Sequence, residues 1–315
     1  MTAEPSASAP RCDLAVSFAG IQLKNPVIAA SGTFGYGLEF EDVVHLDKLG
    51  GFVVKGLSKE PMPGNLPPRL YETAAGMMNA IGLQNVGVRA FLAEKLPKLR
   101  RIKNIVVIAN VFGSTREEYE QVVKALNEEE GIAAYELNVS CPNTTHGGVQ
   151  FGSDARLLDE VVGSAKRAAR RPLIVKLSPN VTSIAQMARV AENAGADALS
   201  LVNTFVAMAI DPETRKPRIA NVTAGLSGPA IKPIALRMVY EASKAVKIPV
   251  LGMGGISTAA DIVEFMLAGA TAVQVGTASY WDPRATEKIV DELQQWCVQH
   301  QVERLADLTG GLQME

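Results

Sequence analysis

Five polar side chains stand at or near the ends of short apolar runs: Lys55, Asn110, Asn138, Lys176 and Asn203. A strand buried on both faces has no packing need for an amide or ammonium group at its end, although a solvated strand terminus would explain any one of them. Lysine and asparagine both donate hydrogen bonds. Together the five residues predict a binding site for a ligand rich in acceptor atoms, such as a flavin or a pyrimidine.

Two glycine-rich turns follow the last two apolar runs. The sequence GMGG occupies residues 252–255 ahead of a helical pattern, and GT occupies residues 276–277. Glycine lets backbone N–H groups approach a phosphate closely, and a helix start adds a favourable dipole. We predict a phosphate site at these turns, with two ordinary tight turns as the alternative. Ser257 stands in place of the third glycine of a GxGxxG motif, which disfavours a dinucleotide-binding Rossmann fold.

Cys141 lies in a polar loop after the fourth apolar run, within the sequence SCPN at residues 140–143. A thiol outside an apolar run is a candidate base or nucleophile, and a small buried cysteine is the alternative. Cys12 and Cys297 fall in a predicted tail and a terminal helix, and we assign them no role. The chain has only these 3 cysteines and no CxxC pair, so we expect neither a disulfide framework nor a metal site within it.

The elements that must position these residues are eight apolar runs that alternate with amphipathic helical patterns. Most of the runs are nearly continuous, as expected for strands buried on both faces. A unit of about 30–40 residues favours an α/β fold of the (β/α)8 TIM barrel type, with a doubly wound open sheet as the competing topology. The predicted strands span residues 25–30, 52–55, 105–110, 134–139, 173–177, 198–203, 249–252 and 272–276, and the clearest helices span residues 116–127, 153–170, 183–194, 229–246 and 258–268.

Three further segments lie outside the regular alternation of strands and helices. Residues 15–23 are predicted to form an N-terminal hairpin at the bottom of the barrel, with Ala19 and Gly20 at its turn. Residues 58–79 form a predicted loop rich in proline and glycine, and residues 205–228 a long polar insertion. Both segments follow the carboxyl ends of strands, where barrel enzymes carry their active sites, so we expect long loops that act as lids or binding loops.

Composition restricts the class of protein. Hydrophobic residues make up 47% and charged residues 20% of the 315 residues, which is too apolar for a disordered chain. Lys and Arg total 31 against 33 for Asp and Glu, and a net charge of -2 argues against a nucleic-acid-binding protein. No apolar run reaches the roughly 18 residues of a membrane span and the first residues do not resemble a signal peptide, so we predict a cytoplasmic protein. Residues 1–12 are assigned to a disordered tail and residues 13–315 to one barrel domain.

Longer motifs resemble, in order along the chain, those of the class 1 dihydroorotate dehydrogenases, specifically the class 1B catalytic subunit. Class 2 relatives carry serine where this chain has Cys141 and have an N-terminal membrane helix, and class 1A enzymes typically read NSMGLPN where this chain reads NAIGLQN. The resemblance extends from residue 13 to residue 305 or so. Its motifs are NPVIAASGTFGYG from Asn25, NAIGLQNVG from Asn79, ELNVSCPN from Glu136, IVKLSPN from Ile174, LVNT from Leu201, LSGPAIKP from Leu226, GMGGI from Gly252 and VGTA from Val275.

This resemblance implies an FMN-containing barrel that oxidises (S)-dihydroorotate to orotate in pyrimidine biosynthesis. A proton leaves carbon 5 to a base, which by resemblance is Cys141, and a hydride leaves carbon 6 for the flavin. The resemblance assigns FMN to Ser31, Lys55, Gly56, Asn110, Asn138, Lys176, Val202 and Gly228, with Gly254, Gly255, Gly276 and Thr277 at its phosphate. It assigns the substrate to Lys55, Asn79, Ala80, Ile81, Gly82, Leu83, Asn138, Asn203 and Thr204.

Class 1B membership also implies a partner protein. Electrons would pass from FMN to a second subunit that carries FAD and a [2Fe–2S] cluster, and then to NAD. Two catalytic and two partner chains would form a heterotetramer around a catalytic homodimer. The alternatives are a class 1A enzyme that uses fumarate, a reductase similar to dihydropyrimidine dehydrogenase, and a ligand-binding barrel without turnover. Cys141, Lys55 and Lys176 together argue against the last of these.

Overall fold

Sixteen strands are present in the computed structural model, which describes residues 11–139 and 151–314. Eight of them close into a parallel barrel in the order β3, β4, β7, β8, β9, β10, β15 and β16, with β16 paired back onto β3. All eight predicted runs form these barrel strands, so the barrel topology is confirmed over the open sheet. The strands are β1 Val16–Phe18, β2 Ile21–Leu23, β3 Val27–Ala29, β4 Gly51–Val53, β5 Leu70–Thr73, β6 Gly76–Asn79, β7 Val106–Val111, β8 Ala134–Asn138, β9 Leu173–Lys176, β10 Ala198–Leu201, β11 Phe205–Met208, β12 Ile210–Asp211, β13 Lys216–Pro217, β14 Thr223–Ser227, β15 Val250–Met253 and β16 Ala270–Val275.

Helices surround the barrel because the strand residues that point outward are apolar and need cover. The five predicted helices are present, and four of them start at a side-chain cap: Thr115, Asp154, Ser183 and Thr258 each accept a backbone N–H of the first turn. The helices are α1 Gly87–Ala90, α2 Leu96–Leu99, α3 Arg116–Asn127, α4 Ala155–Ala168, α5 Ile184–Asn193, α6 Lys232–Ala245, α7 Ala259–Leu267, α8 Ala278–Trp281 and α9 Ala285–Gln299.

Two connections depart from the regular strand–helix repeat. After β3 the chain makes two short 3-10 turns, Leu38–Phe40 and Leu46–Lys48, in place of a long helix. After β4 the helical segment is built from α1, a π-helical stretch Phe91–Lys95 and α2. No helix in the described ranges is long and apolar enough to cross a membrane.

The N-terminal hairpin is confirmed. Strands β1 and β2 pair in antiparallel fashion, with Val16 opposite Leu23, and Phe18 is fully buried against the barrel core. The turn residue Ala19 lies beside Pro172 and Asp197, which immediately precede β9 and β10. The hairpin therefore covers the amino-terminal end of the barrel, opposite to the end where the strand carboxyl termini lie.

The two segments predicted as long loops contain strands that the sequence interpretation missed. Strands β5 and β6 from the first segment join β11 and β14 from the second in one antiparallel sheet of order β11-β14-β6-β5. This sheet, which we call the lid sheet, lies after the carboxyl ends of β4 and β10. The strands in the first segment were missed because the turn between β5 and β6 is Ala74-Ala75 and carries no Asn-Gly or Asp-Gly hairpin signal.

The start of the folded chain also differs from the prediction. Cys12 was placed in the tail, but its side chain is buried and Asp13 donates its backbone N–H to the carbonyl of Glu303. Ordered packing therefore includes Cys12. Residues 1–10 lie outside the described residues, and their assignment to a disordered tail stays a prediction.

Candidate active site

A cavity opens at the carboxyl ends of the barrel strands, beneath the lid sheet. Its empty space, counted out to bulk solvent, is about 1240 Å³, which is ample for a ligand of nucleotide size. Every described residue that the sequence analysis assigned to cofactor or substrate lines it, except Ala80. Those that line it are Ser31, Lys55, Gly56, Asn79, Ile81, Gly82, Leu83, Asn110, Asn138, Lys176, Val202, Asn203, Thr204, Gly228, Gly254, Gly255, Gly276 and Thr277.

The polar residues at the strand ends meet in this cavity because parallel strands end at the same rim of a barrel. The Asn203 amide donates to the Asn138 side-chain oxygen at 3.2 Å, and the backbone N–H of Thr204 donates to the Asn203 side-chain oxygen at 2.8 Å. Lys176 is buried and Lys55 half-buried. These side chains form a cluster of amides and ammonium groups that suits an anionic, acceptor-rich ligand.

A buried carboxylate lies directly below the cluster, and the sequence analysis gave it no role. Glu136 is fully buried on β8, two residues before Asn138, so both side chains point into the barrel. Its carboxylate accepts hydrogen bonds from the side chains of Asn110, Ser200 and Gln274 at 2.7, 2.9 and 2.6 Å. A charged residue inside an otherwise apolar strand was the signal that could have identified it.

Two buried oxygen atoms face the cavity region without a hydrogen-bond partner among the described residues. They are Oδ1 of Asn110 and Oε1 of Gln274, and each side chain is only 1% exposed. Burying an amide oxygen without a partner costs free energy, on the order of 1–3 kcal/mol. The arrangement therefore fits a bound group that supplies N–H donors, as a flavin ring does.

The glycine turns lie at the side of the cavity next to the barrel strands β15 and β16. Gly254 and Gly255 have φ angles of +127° and +78°, a region in which only glycine is comfortable. The Thr277 hydroxyl donates to the Ser227 hydroxyl at 2.8 Å, which joins the turn after β16 to the end of the lid sheet. Backbone and hydroxyl groups from both turns therefore face one part of the cavity, as a phosphate site requires.

The start of α7, which the sequence analysis placed near the phosphate, carries an acidic side chain of its own. Thr258 and Asp261 form a capping box, and the Asp261 carboxylate also accepts the backbone N–H of Ser257 at 2.8 Å. Lys232 pairs with the same carboxylate at 2.6 Å. The hydrogen bonds from Lys232, Ser257 and Thr258 outweigh burial and lower the pKa of Asp261. Asp261 therefore caps this helix terminus and pairs with Lys232 beside the glycine turn.

The loop that contains Gly82 and Leu83, assigned to the substrate by the resemblance, has an unusual backbone. Gly82 has a φ of +72° and Leu83 a φ of +56°, which is rare for a branched side chain. A Cβ at Gly82 would lie 2.6 Å from the side chain of Asn65, which itself donates to the carbonyl of Ala80 at 2.9 Å. Backbone in such a conformation is held by its surroundings and is frequent at ligand sites.

The side chain of Ala80 does not line the cavity, and its assignment to the substrate stays a prediction. Its side chain packs in the small core of the lid sheet with Met78, Ile219 and Ala224. Alternate residues of an extended chain point to opposite faces, so Asn79 and Ile81 line the cavity while Ala80 points away.

Cys141 lies outside the described residues, in the undescribed segment 140–150. The flanking residues are described: the backbone N–H of Gly152 donates to the carbonyl of Val139 at 2.9 Å, and Asn138 lines the cavity. The other two thiols are buried away from the cavity. Burial raises the pKa of Cys12, and burial with the neighbouring Cys12 raises the pKa of Cys297 to about 12. Neither of these two thiols is a nucleophile at neutral pH.

The cavity also contains residues that sequence reasoning did not single out. Gln274 lies within the run predicted for the last strand, and Tyr280 and Trp281 lie in α8, about half exposed. Within residues 11–139 and 151–314, no cluster of three or more acidic, histidine or cysteine side chains could hold a metal ion. The other unpredicted lining residues are Ala30, Gly32, Thr33, Met77, Ser227, Pro229, Ile231, Met253, Ile256 and Ala278.

Comparisons with known proteins agree with this site. The family profile DHO_dh, dihydroorotate dehydrogenase, matches residues 13–296. A Solibacter usitatus protein named, provisionally, dihydroorotate dehydrogenase A (fumarate) is 61% identical over 299 residues, covering 95% of this chain and 98% of its own length. The catalytic subunit of dihydroorotate dehydrogenase B (NAD(+)) from Pelobacter propionicus is 55% identical over 301 residues, covering 96% of this chain and 99% of that subunit.

A second subunit of that name and a solved structure complete the comparison. The Citrifermentans bemidjiense catalytic subunit is 54% identical over 304 residues, with 96% and 99% of the two chains covered. The crystal structure of DHODH from Eimeria tenella in complex with ferulenol superposes with a TM-score of 0.79 at 22% identity, covering 95% of this chain and 88% of that one. At that identity the likeness shows the shared fold. Because the family profile covers most of the sequence and close relatives match it over almost its full length, this chain belongs to the dihydroorotate dehydrogenase family.

Proposed function

We propose that this chain is the FMN-containing catalytic subunit of a class 1B dihydroorotate dehydrogenase, which oxidises (S)-dihydroorotate to orotate in pyrimidine biosynthesis. The observation that carries the proposal is the convergence of the assigned residues. Side chains and turns from all parts of the chain between Ser31 and Thr277 line one cavity at the carboxyl end of the barrel. Residues so distant in sequence do not share a polar cavity by local folding alone.

The glycine side of the cavity would hold the FMN phosphate. Gly254, Gly255 and Gly228 present backbone without side chains, and the turn at Gly276 and Thr277 adds a hydroxyl. A Cβ at Gly276 would make only ordinary contacts of 3.5–3.7 Å with Ala30 and Thr33, both of which line the cavity. This glycine therefore keeps cavity space open rather than relieving backbone strain.

The floor of the cavity would hold the flavin ring. Bound FMN supplies the acceptor for the hydride that leaves the substrate. The oxygens of Asn110 and Gln274 would face the single N–H of the flavin ring there, because they lack other partners among the described residues. Lys55 and Lys176 place positive charge at the same level of the barrel, which favours a ligand that gains electrons.

The lid side of the cavity would hold dihydroorotate. Asn138, Asn203 and Thr204 form a hydrogen-bonded group that can read the amide edges of the pyrimidine ring. Asn79 lies on the lid sheet, where its amide is 3.5 Å from the carbonyl of Gly225. Together with the backbone of the Gly82–Leu83 loop, Asn79 can bind the substrate carboxylate. Uracil lacks this carboxylate, so the same loop would distinguish dihydroorotate from a dihydropyrimidine substrate.

Cys141 would act as the base that removes the proton from carbon 5. The assignment rests on the family resemblance. Its support from the described residues is indirect: Val139 and Gly152, on either side of the undescribed segment, are hydrogen-bonded next to the cavity residue Asn138. A general base has to stand within hydrogen-bond reach of the proton that it abstracts, so a residue close to Asn138 in the chain is well placed.

The electron acceptor of the second half-reaction would be NAD, reached through a partner subunit with FAD and a [2Fe–2S] cluster. The sequence NAIGLQN and the relatives named as B-type catalytic subunits support this choice. The Solibacter relative named for fumarate supports the class 1A alternative. The heterotetramer and the cytoplasmic location also remain parts of the proposal.

The decisive experiment compares oxidants on the purified chain. Dihydroorotate should bleach the bound flavin, and an artificial dye should sustain turnover. NAD should support turnover only after co-expression with an FAD and iron–sulfur subunit. Rapid turnover of the lone chain with fumarate would replace class 1B by class 1A and leave dihydroorotate oxidation intact. A chain that binds no FMN, or whose flavin dihydroorotate does not reduce, would refute the proposed activity.

A further inference from the structure

The carboxylate of Glu136 is fully buried and makes contacts with side chains from four other barrel strands. Its partners are Asn110 on β7, Lys176 on β9, Ser200 on β10 and Gln274 on β16. All of these residues point into the barrel just below the cavity, and each is at most 6% exposed. None of the steps proposed above uses Glu136.

The contacts use both carboxylate oxygens evenly. Oε1 accepts from the Asn110 amide at 2.7 Å and lies 4.0 Å from the Lys176 ammonium nitrogen. Oε2 accepts from the Ser200 hydroxyl at 2.9 Å and from the Gln274 amide at 2.6 Å. An ionised carboxylate offers about four acceptor sites and no donor. Three hydrogen bonds and one nearby ammonium group therefore surround the buried carboxylate, which compensates for its loss of water.

This arrangement determines which way two amides point. A side-chain amide that donates its NH₂ group to a carboxylate must turn its oxygen away from that carboxylate. The oxygens of Asn110 and Gln274 are two of the four buried side-chain atoms without a partner among the described residues, and both residues line the cavity. A Cβ at the cavity residue Gly56 would lie 2.9 Å from the Asn110 oxygen, which locates that atom at the cavity wall.

We propose that Glu136 is a positioning residue, which holds the amides of Asn110 and Gln274 so that both present oxygen acceptors to the flavin ring. The inference rests on the proposed FMN site. Without the carboxylate, each amide could turn over and present NH₂ donors instead. The ring system of FMN carries an N–H group, which an oxygen accepts and an NH₂ group repels.

Glu136→Gln is the informative substitution because glutamine has nearly the same shape. Its side chain offers one oxygen and one NH₂ group, so one of the two amides would meet another donor and would have to turn over. We expect the dissociation constant for FMN to rise at least tenfold. We also expect the visible absorption bands of the bound flavin to shift, since an atom in contact with the ring has changed.

Ser200→Ala is the matched control. It removes a hydrogen bond from the same carboxylate oxygen, but it leaves the charge and both amides in place, and Ser200 does not line the cavity. Both variants should lose some unfolding stability. Only Glu136→Gln should change the FMN affinity and the flavin spectrum. The affinity is measured by fluorescence titration of the apoprotein with FMN.

The outcomes separate the alternatives. The proposal would be overturned if folded Glu136→Gln had the FMN affinity and the flavin spectrum of the wild type. It would also be overturned if Glu136→Gln and Ser200→Ala lost FMN affinity equally. If Glu136→Gln does not fold, Gln274→Met decides, because it removes one acceptor oxygen with an uncharged side chain of similar length. It should weaken FMN binding at least tenfold, and wild-type affinity would refute the inference. Absence of FMN binding by the wild-type chain would instead refute the proposed function.

Discussion

Two glutamates, Glu136 and Glu287, are almost completely buried, at 0% and 1% exposure, but they lie in different regions with different partners. Glu136 stands inside the barrel, among two amides, a hydroxyl and a lysine that lies 4.0 Å away. Glu287 stands in the first turn of α9, in the outer layer. There a single carboxylate oxygen contacts His45 at 2.8 Å, Lys48 at 3.1 Å and Arg284 at 3.2 Å.

The partners of the two carboxylates explain what each can do. Burial alone would raise the pKa of Glu287, but hydrogen bonds from Arg284, His45 and Lys48 outweigh it and lower the pKa to about 2. Glu287 thereby fastens α9 to the short turns that replace a helix after β3. The partners of Glu136 are cavity residues, so its bonds determine which atoms a ligand meets. The same side chain therefore serves stability in one region and the binding site in the other.

The strongest test on the binding-site side is Cys141→Ala, because the resemblance assigns the catalytic base to Cys141. Reduction of the bound flavin by dihydroorotate should slow by about 10²–10⁴-fold, the usual contribution of a general base. FMN content and the unfolding temperature should stay at wild-type values. Stopped-flow absorbance measures the reduction rate, with Cys12→Ala as the control because Cys12 does not line the cavity. Wild-type reduction rates in Cys141→Ala would show that another group is the base.

Glu287→Gln tests the contribution of Glu287 to the stability of the fold. It removes the negative charge that contacts Lys48, Arg284 and the His45 ring, and we expect a loss of about 2 kcal/mol in the free energy of unfolding at pH 7. That figure is below the range for fully buried pairs because His45 and Lys48 are 67% and 40% exposed and therefore screened. Flavin reduction at 25 °C should be unchanged. Urea unfolding measures the loss, and a changed reduction rate would contradict the division between the two regions.

The pH dependence of that loss has a definite sign. The pKa of Glu287 is depressed in the folded state, so its stabilisation is complete above its ordinary pKa of 4.5 and disappears as the pH falls toward about 2. The stability difference between wild type and Glu287→Gln should be constant from pH 7 to pH 5 and shrink below that. Unfolding curves at a series of pH values test this, and a difference that grew toward acid pH would be inconsistent with a depressed pKa.

Gly276→Val is a second substitution in the cavity, and we expect it to have a smaller effect than the changes above. The backbone at Gly276 has no positive φ, and a Cβ would find only contacts of 3.5 Å or longer, so the fold should tolerate the change. The valine methyl groups would enter the region assigned to the phosphate. We expect FMN affinity to fall about tenfold, which corresponds to the free energy of about one hydrogen bond, with little loss of unfolding stability. Gly276→Ala is the graded control, and unchanged FMN content after gel filtration of both variants would place the phosphate elsewhere.

Arg156→Ala should have the smallest effect. Arg156 pairs with Glu160 at 2.8 Å on the surface of α4, where the two side chains are 74% and 41% exposed. Such helical pairs contribute about 0.3–0.5 kcal/mol. The variant therefore calibrates the stability measurements. A loss of unfolding free energy as large as that of Glu287→Gln would show that burial does not explain why the Glu287 contacts stabilise more than the Arg156–Glu160 pair.

The sequence predicted the strands of the barrel because their residues are continuously apolar and β-branched, a pattern that is local. The same locality made the polar strand ends visible. Once the strands were assigned to a barrel, Lys55, Asn138 and Lys176 had to meet at one rim. The glycine turns were placed by the same argument.

The lid sheet could not be read from local pattern. Strand β6 pairs with β14, so Asn79 lies opposite Gly225, a residue far away in the sequence. These strands are short, and the residues of β6 are Gly, Met, Met and Asn, which have little preference for strands. Their pairing depends on the barrel bringing the two segments to the same rim. The orientation of Ala80 away from the cavity follows from that pairing.

By itself the sequence determined the barrel and the rim on which the site lies, because those features depend on periodicity and on the order of strands; the family resemblance of its motifs implied most of the other lining residues. Only the tertiary structure decided the hydrogen bonds within the site. The carboxylate of Glu136 selects the orientation of the Asn110 and Gln274 amides, and the Asp261 carboxylate occupies the start of α7. Such bonds join residues from separate strands and helices, and they form only when closure of the barrel brings donors and acceptors within about 3 Å.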